Sequence, residues 1–261
     1  MNVIHNPETV LQDFPRYFRI AGHSINSYKV FLCIGLYVGT LATAALAARS
    51  GLSPLRAGLA AMSCALAGLI GARVYFLLVN IRFFMNQHSL AALWDSRTGG
   101  WSLFGSIFTF APVSLAAAYW LHISPLILWD HLALGVLAGG FWIRLGCVFN
   151  GCCAGRQTHS WLGVHLHDTL HAVKRRIPVQ FMEMAWWLIG FVAFLMLWPG
   201  ALPPGSYALA VAAWYGFGRF FLEPLRERSD IVFGWVRIDQ LVAAVLAIAA
   251  GGVVIIRGWP S

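Results

Sequence analysis

Arg144 sits within the run Gly139-Gly140-Phe141-Trp142-Ile143-Arg144-Leu145-Gly146. Glycines in such a run let backbone approach a ligand closely, and a guanidinium can fork two hydrogen bonds onto phosphate oxygens, so the segment points to phosphate binding. Three thiols follow within nine residues: Cys147, Cys152 and Cys153. Several readings stay open for them. A structural zinc site normally takes four ligands, and the paired Cys-x-x-Cys spacing is absent, so a histidine from the following segment would be needed. A disulfide or redox role fits an oxidising compartment, although vicinal cysteines do not bridge easily. One thiol lying in a lipid groove could itself be nucleophilic and carry a covalent lipid. Small packing residues without chemistry complete the set. Cys33 and Cys64, inside apolar runs, read as plain core residues.

A second group of residues is notable for its surroundings. Arg73, Asp130, Arg144, Glu183, Arg219, Glu223 and Asp239 fall inside or at the ends of otherwise apolar stretches. Each costs on the order of 3 kcal/mol in a membrane span and therefore needs a partner, a wet cavity or a ligand. Arg219 and Glu223 are four apart on one helix face and can neutralise each other. Asp130 and Asp239, near stretch ends, read as solvated or capping groups. Glu223 could serve as a base if Arg219 does not hold it.

The elements that must carry these residues follow from composition. Of 261 residues 59% are hydrophobic and 11% charged, and the mean hydropathy is +0.70. This excludes both a water-soluble fold and disorder. Stretches at 30–48, 57–81, 101–121, 126–149, 178–198, 204–222 and 238–256 are long and apolar enough to predict seven transmembrane helices. The expected fold class is all-α, a polytopic membrane protein with seven helices around a lipid-accessible cavity. Continuous Ala-, Leu- and Gly-rich runs exclude an outer-membrane barrel. The chain reads as a single domain, with residues 1–26 an N-terminal interfacial segment lacking the core of a signal peptide and 150–177 an extramembrane loop region. Gly35 with Gly39, Gly68 with Ala72, and Gly135 with Gly139 set small residues four apart for close helix packing. Trp94, Trp101, Trp129, Trp198, Trp235 and Trp259 are expected near span ends.

The net charge of +8, almost all arginine, favours anionic lipid over nucleic acid as a partner. Eleven basic residues fall on the side of the N-terminus and three on the other. Counting alone would put that side in the cytoplasm. Arginines that serve an anionic headgroup would bias such a count.

GGFWIRLGCVFNGCCAG, Gly139 to Gly155, resembles the signature of the prolipoprotein diacylglyceryl transferase family, with Gly139, Gly140, Arg144, Gly146, Asn150 and Gly155 on matching positions. Tyr28 in INSYKVF is similar to the family's tyrosine at the start of its first helix. GLIGARVYF carries Arg73, IPVQFMEMAWW retains Pro178, Gln180 and Glu183, and WYGFGRFFLEPLRE retains Tyr215, Arg219 and Glu223. Order and spacing hold over nearly the whole chain. Departures are equally specific: Cys147 and Cys152 stand where the family has Asn and Glu, Met182 where it has Tyr, and Phe104 where it has a histidine often proposed as catalytic. The chain is identified as a divergent member or paralogue.

The resemblance implies a bacterial inner-membrane enzyme of seven helices, with the basic side facing the periplasm. It transfers the diacylglyceryl group of phosphatidylglycerol to a thiol such as the cysteine of a prolipoprotein, whose signal peptide is then a partner. No cofactor and no metal is expected. Arg144, Arg219, Glu223 and Tyr215 are the catalytic candidates. Arg73, Tyr28, Asn150, Gly155, Gln180, Glu183 and Gly146 are the substrate-binding candidates, with Cys147, Cys152 and Cys153 in an open thiol role. Arg144 and Arg219 would grip the phosphate, Arg73 would reinforce the field, and Tyr28 and Asn150 would orient the headgroup. His159, His165, His167 and His171 are the remaining candidates for a base. Further readings are a divergent paralogue acting on another acceptor, a non-catalytic binder of anionic phospholipid, and a transporter, the last disfavoured by an odd span number and the lack of an inverted repeat.

Overall fold

The computed structural model describes residues 14–20, 22–82, 103–167, 172–200, 202–227, 231–233 and 236–258. Trp94, Trp101, Trp235, Trp259 and His171 lie outside them. Seven α-helices are present among the described residues: α1 (Ser27–Arg49), α2 (Pro54–Val79), α3 (Leu103–Trp120), α4 (Pro125–Asn150), α5 (Val179–Met196), α6 (Ser206–Leu222) and α7 (Ile238–Gly258). Five of them, all but α3 and α6, are long and apolar enough to cross a membrane. The chain is a mostly helical, multi-pass membrane protein.

Three short antiparallel strand pairs correct the all-helical expectation. They are β1 (Tyr17–Ile20) with β2 (His23–Asn26), β3 (Val164–His167) with β4 (Val173–Arg176), and β5 (Ile231–Phe233) with β6 (Val236–Arg237). All lie in the polar connections, where the backbone must find partners beyond a helix of its own. Periodicity read over 20-residue windows passes over four-residue strands.

Two compact units are formed, one from residues 1–42 with 132–261 and one from residues 43–131. In the first, Gly35 and Gly39 of α1 face Gly139 and Gly135 of α4. A Cβ on Gly139 would sit 2.5 Å from the Gly35 carbonyl oxygen, and one on Gly39 would sit 2.8 Å from that of Gly135. The two backbones touch with no side chain between them, as the spacing predicts. α5 and α6 are joined by Trp186 and Trp214, whose rings stack at 3.9 Å. Each indole N–H donates to the other residue's carbonyl, at 3.1 and 3.2 Å. The hairpin β1–β2 runs straight into α1. There Asn26 accepts from the Tyr28 N–H at 2.9 Å and donates to the Asn150 side chain at 3.0 Å, tying the start of α1 to the end of α4. Phe14, Phe18, Phe31 and Phe149 pack around that junction.

In the second unit α2 and α3 approach most tightly at Gly71 and Gly105, and the Ser106 hydroxyl of α3 donates to the Gly68 carbonyl of α2 at 3.0 Å. A Cβ on Gly71 would press on Thr109 and the Gly105 carbonyl, whereas one on Gly68 would find its first neighbour, Ser106, only at 3.9 Å. α2 is opened by Ser53, which accepts from the Arg56 N–H, and by Pro54 at its first position. Asp130 is buried at 4% exposure, which corrects the solvated reading: as the sixth residue of α4, it already belongs to the packed part of the helix. Asp239, in the first turn of α7, is exposed as expected. His131 is structural, with its ring nitrogens on the Ile127 carbonyl at 2.7 Å and the Ser50 hydroxyl at 3.2 Å.

Candidate active site

Four elements of the first unit converge on one buried carboxylate. Glu183, one turn into α5, is 3% exposed and lies 3.0 Å from the Arg144 guanidinium of α4, 3.6 Å from Arg219 of α6 and 3.4 Å from Arg226. A second buried carboxylate, Glu223, opens the short 3-10 turn Glu223–Leu225 at the end of α6. It pairs with Arg219 at 2.8 Å, the contact its i,i+4 spacing predicts, and with Arg226 at 3.5 Å. Three guanidiniums thus share two buried carboxylates. The exposed carboxylate of Asp239 adds a contact to Arg219 at 3.5 Å.

Against this pairing lies a shallow, open pocket lined by Arg144, Glu183, Trp186, Trp187, Tyr215, Gly218, Arg219 and Leu222. Two arginines, the carboxylate that pairs with them and a phenol line it together with two indoles, and a surface with guanidiniums beside apolar rings takes an anion flanked by apolar chains. Each guanidinium carries five N–H donors, so a carboxylate contact leaves others for a ligand. Glu183 therefore orients Arg144 and Arg219 without exhausting them.

Arg226 and Arg237 were not singled out by the sequence. Arg226, beyond Pro224, stands in a charged tail that reads as a surface run, yet it bridges both carboxylates. Arg237 is buried and donates to the backbone carbonyls of Glu223 and Arg226, fixing the turn that carries them. The signal available was Arg226 three residues after Glu223. The same turn is bound to the connection after α4: the Arg156 N–H donates to the Leu225 carbonyl at 2.8 Å and the Glu227 N–H to the Ala154 carbonyl at 3.1 Å. Fully buried Arg176 of β4 holds Glu227 at 2.5 Å.

The remaining sequence candidates divide. Tyr215 lines the pocket, its ring 5.7 Å from that of Trp187. Gln180, one turn before Glu183, is buried and donates to the Cys152 carbonyl at 2.9 Å. Asn150 spends its carboxamide oxygen on Asn26. Gly146 sits against Phe31 and Tyr28, and Gly155 against the Ile177 carbonyl and Val179, so both are close-packing positions. Arg73 belongs to the second unit, buried on α2 with its guanidinium 5.6 Å from the Phe76 ring. Phe104 lies on α3 of that unit. Met182 is exposed on α5, His159 is exposed, and His165 and His167 are half-buried on β3.

Cys147, Cys152 and Cys153 come together, with their sulfurs all within 4.8 Å of one another. Cys147 ends the buried face of α4 and the other two follow Gly151, a left-handed residue (φ 71°). Cys153 is itself left-handed at φ 59°, a conformation that a residue with a Cβ adopts at some cost. Hydrogen bonds from the Cys147 and Cys152 thiols hold the Cys153 thiol below its ordinary range against the opposing effect of burial, with Arg226 and Arg144 adding to the same direction. Cys152 shifts upward. Its contact with Cys147 acts against that, and its contact with Cys153, with burial, prevails. These three are the described residues whose chemistry suits a metal ion.

The family model described as prolipoprotein diacylglyceryl transferase matches residues 15–256. Among similar proteins, the phosphatidylglycerol–prolipoprotein diacylglyceryl transferase of Streptococcus equi subsp. zooepidemicus is 28% identical over 247 residues, 90% of this chain and 92% of that one. Those of Streptococcus uberis and Streptococcus mutans serotype c are 29% and 26% identical, each over 72% of this chain and 74% of their own. With the family model spanning nearly every described element, from β1 to α7, the chain belongs to the prolipoprotein diacylglyceryl transferase family.

Proposed function

We propose that the chain transfers the diacylglyceryl group of phosphatidylglycerol to the cysteine thiol of a prolipoprotein in the bacterial inner membrane. The observation that carries this reading is the meeting of Arg144 and Arg219, from separate helices, on Glu183 beneath one pocket. In this reaction a thiolate attacks the glyceryl carbon that bears the phosphate ester. The C–O bond breaks, its electron pair leaves on glycerol phosphate, and a thioether remains. Charge develops on the departing phosphate oxygen. Guanidiniums already oriented by Glu183 and Glu223 meet that charge without reorganising, the arrangement that lowers a barrier most effectively.

Arg144 and Arg219 grip the phosphate, Tyr215 stands beside it, and Trp186, Trp187 and Leu222 face the glyceryl and acyl parts. Tyr28, Gln180 and Asn150 are assigned to the thiol side, by their place near the end of α4. Glu223 is not the base in this mechanism. Two arginines occupy its carboxylate, so its part is to position them.

The test is incubation of purified protein with labelled phosphatidylglycerol, with and without a lipobox peptide bearing a thiol, following glycerol phosphate and lipidated peptide by mass. Release with peptide only, together with a thioether product, is the expected outcome. Binding of lipid with no release under either condition would establish a carrier instead.

A further inference from the structure

The transfer reading leaves one requirement unmet. The attacking group must be a thiolate, and a free thiol with a pKa of about 8.5 is only about 3% ionised at neutral pH. The family's histidine position is Phe104 here, and Glu223 is committed to two arginines.

We propose that Cys147, Cys152 and Cys153 form a three-thiolate zinc site whose fourth position takes up the acceptor's thiol. Sulfurs on a tetrahedral zinc, with Zn–S of about 2.3 Å, stand about 3.8 Å apart. The three here already lie within 4.8 Å of one another, so closing onto an ion takes shifts below about an ångström. The backbone is shaped for this. Two left-handed residues in three, Gly151 and Cys153, fold the chain after α4 back so that residues 152 and 153 face the last turn of the helix. Gln180 holds the Cys152 carbonyl in that turn. Vicinal cysteines that bridge each other with difficulty can both bind one ion. Among the described residues no fourth His, Cys, Asp or Glu joins the group at this distance. A zinc with three protein ligands keeps a position for substrate, whereas a closed structural site does not. Cys153 is the most accessible of the three, so the cluster is not sealed from an incoming thiol. Three thiolates on a divalent ion leave one negative charge, which the Arg144 and Arg226 guanidiniums, both acting on Cys153, offset.

The role of the fourth position rests on the transfer reading. An acceptor thiol that coordinates the ion gives up its proton to water and becomes a bound thiolate. Its sulfur attacks the glyceryl carbon, the C–O pair departs on glycerol phosphate held by Arg144, and the neutral thioether, a weaker ligand, dissociates. The ion is neither oxidised nor reduced.

The experiment uses the full chain in detergent, reduced and stripped of metal, titrated with cobalt(II) as a spectroscopic stand-in for zinc. One equivalent is expected to produce a thiolate-to-cobalt charge-transfer band. Cys147→Ser and Cys153→Ser should each abolish or strongly weaken it, whereas Cys33→Ser and Cys64→Ser leave it unchanged. Size-exclusion profiles identify any variant that fails to fold. Lipobox peptide should shift the cobalt d–d bands, and its serine counterpart should not. Removing the ion should slow transfer on the order of 30-fold at neutral pH, the ratio of full to free-thiol ionisation. Absence of the band, a disulfide within the cluster of the protein as purified, or transfer unaffected by chelation would overturn the zinc site and leave the transferase reading standing. A band that peptide shifts, in a protein releasing no glycerol phosphate, would support the site and sink the transfer.

Discussion

The Arg144 guanidinium of α4 and the Glu183 carboxylate of α5 meet at 3.0 Å, with the carboxylate almost wholly buried and the arginine reaching the pocket wall. The two have divided the labour. The carboxylate supplies a fixed direction, and the cation supplies donors to whatever enters.

Removing that direction should be costly. Glu183→Gln keeps size and one hydrogen bond but leaves three guanidiniums around a single buried carboxylate. Breaking a buried pair typically costs about 3 kcal/mol or more. The variant is expected to unfold at markedly lower temperature in detergent and to lose most transfer. A thermal midpoint equal to that of the unaltered protein would show that Glu183 does not carry the cluster.

Arg144→Ala should fold and yet release no measurable glycerol phosphate, since losing one donor to a developing oxyanion costs on the order of 100-fold or more. Arg144→Lys should rescue little, because an ammonium cannot span phosphate and carboxylate as a planar fork does. Near-normal turnover in either variant removes Arg144 from the mechanism.

Arg226 should behave differently. It reaches both carboxylates at 3.4 to 3.5 Å and does not line the pocket, so it acts as a charge rather than as a fork. Arg226→Lys is expected to retain most activity and Arg226→Ala to lose roughly tenfold, in keeping with groups that orient a reacting residue. Equal losses in the two variants would assign it direct contact with the lipid.

Gly139→Val tests the contact of α1 with α4. Its side chain would be driven into the Gly35 carbonyl, and overpacking of this kind costs about 1 to 3 kcal/mol. Lower thermal stability with unchanged lipid specificity is the expected result, read by unfolding in detergent and by competition between lipids.

Much of this could be read from residue order. Five of the seven described helices are long and apolar enough to span a membrane, and these follow from apolar runs because a span must satisfy its own backbone. The Arg219–Glu223 pair follows from helical spacing. The Gly35–Gly139 contact is half legible: spacing marks a small face, but only tertiary structure chooses the partner. Arg237 and the contact of Arg226 with Glu183 are not legible, because both arginines sit in connections, where charge usually means solvent, and because these partners lie 14 and 43 residues away in the chain; only the spacing of Arg226 from Glu223 offered a signal. The thiol cluster was visible as composition. Its closeness depends on the left-handed backbone at Cys153, which no residue type announces.

The bare glycine seam between α1 and α4 also limits how the molecule can admit a bulky guest. Backbones in direct contact have no rotamers to rearrange and no slack to release. Any change of shape within the first unit therefore has to come from elements that meet through side chains, as α5 and α6 do at Trp186, Trp214 and Phe217.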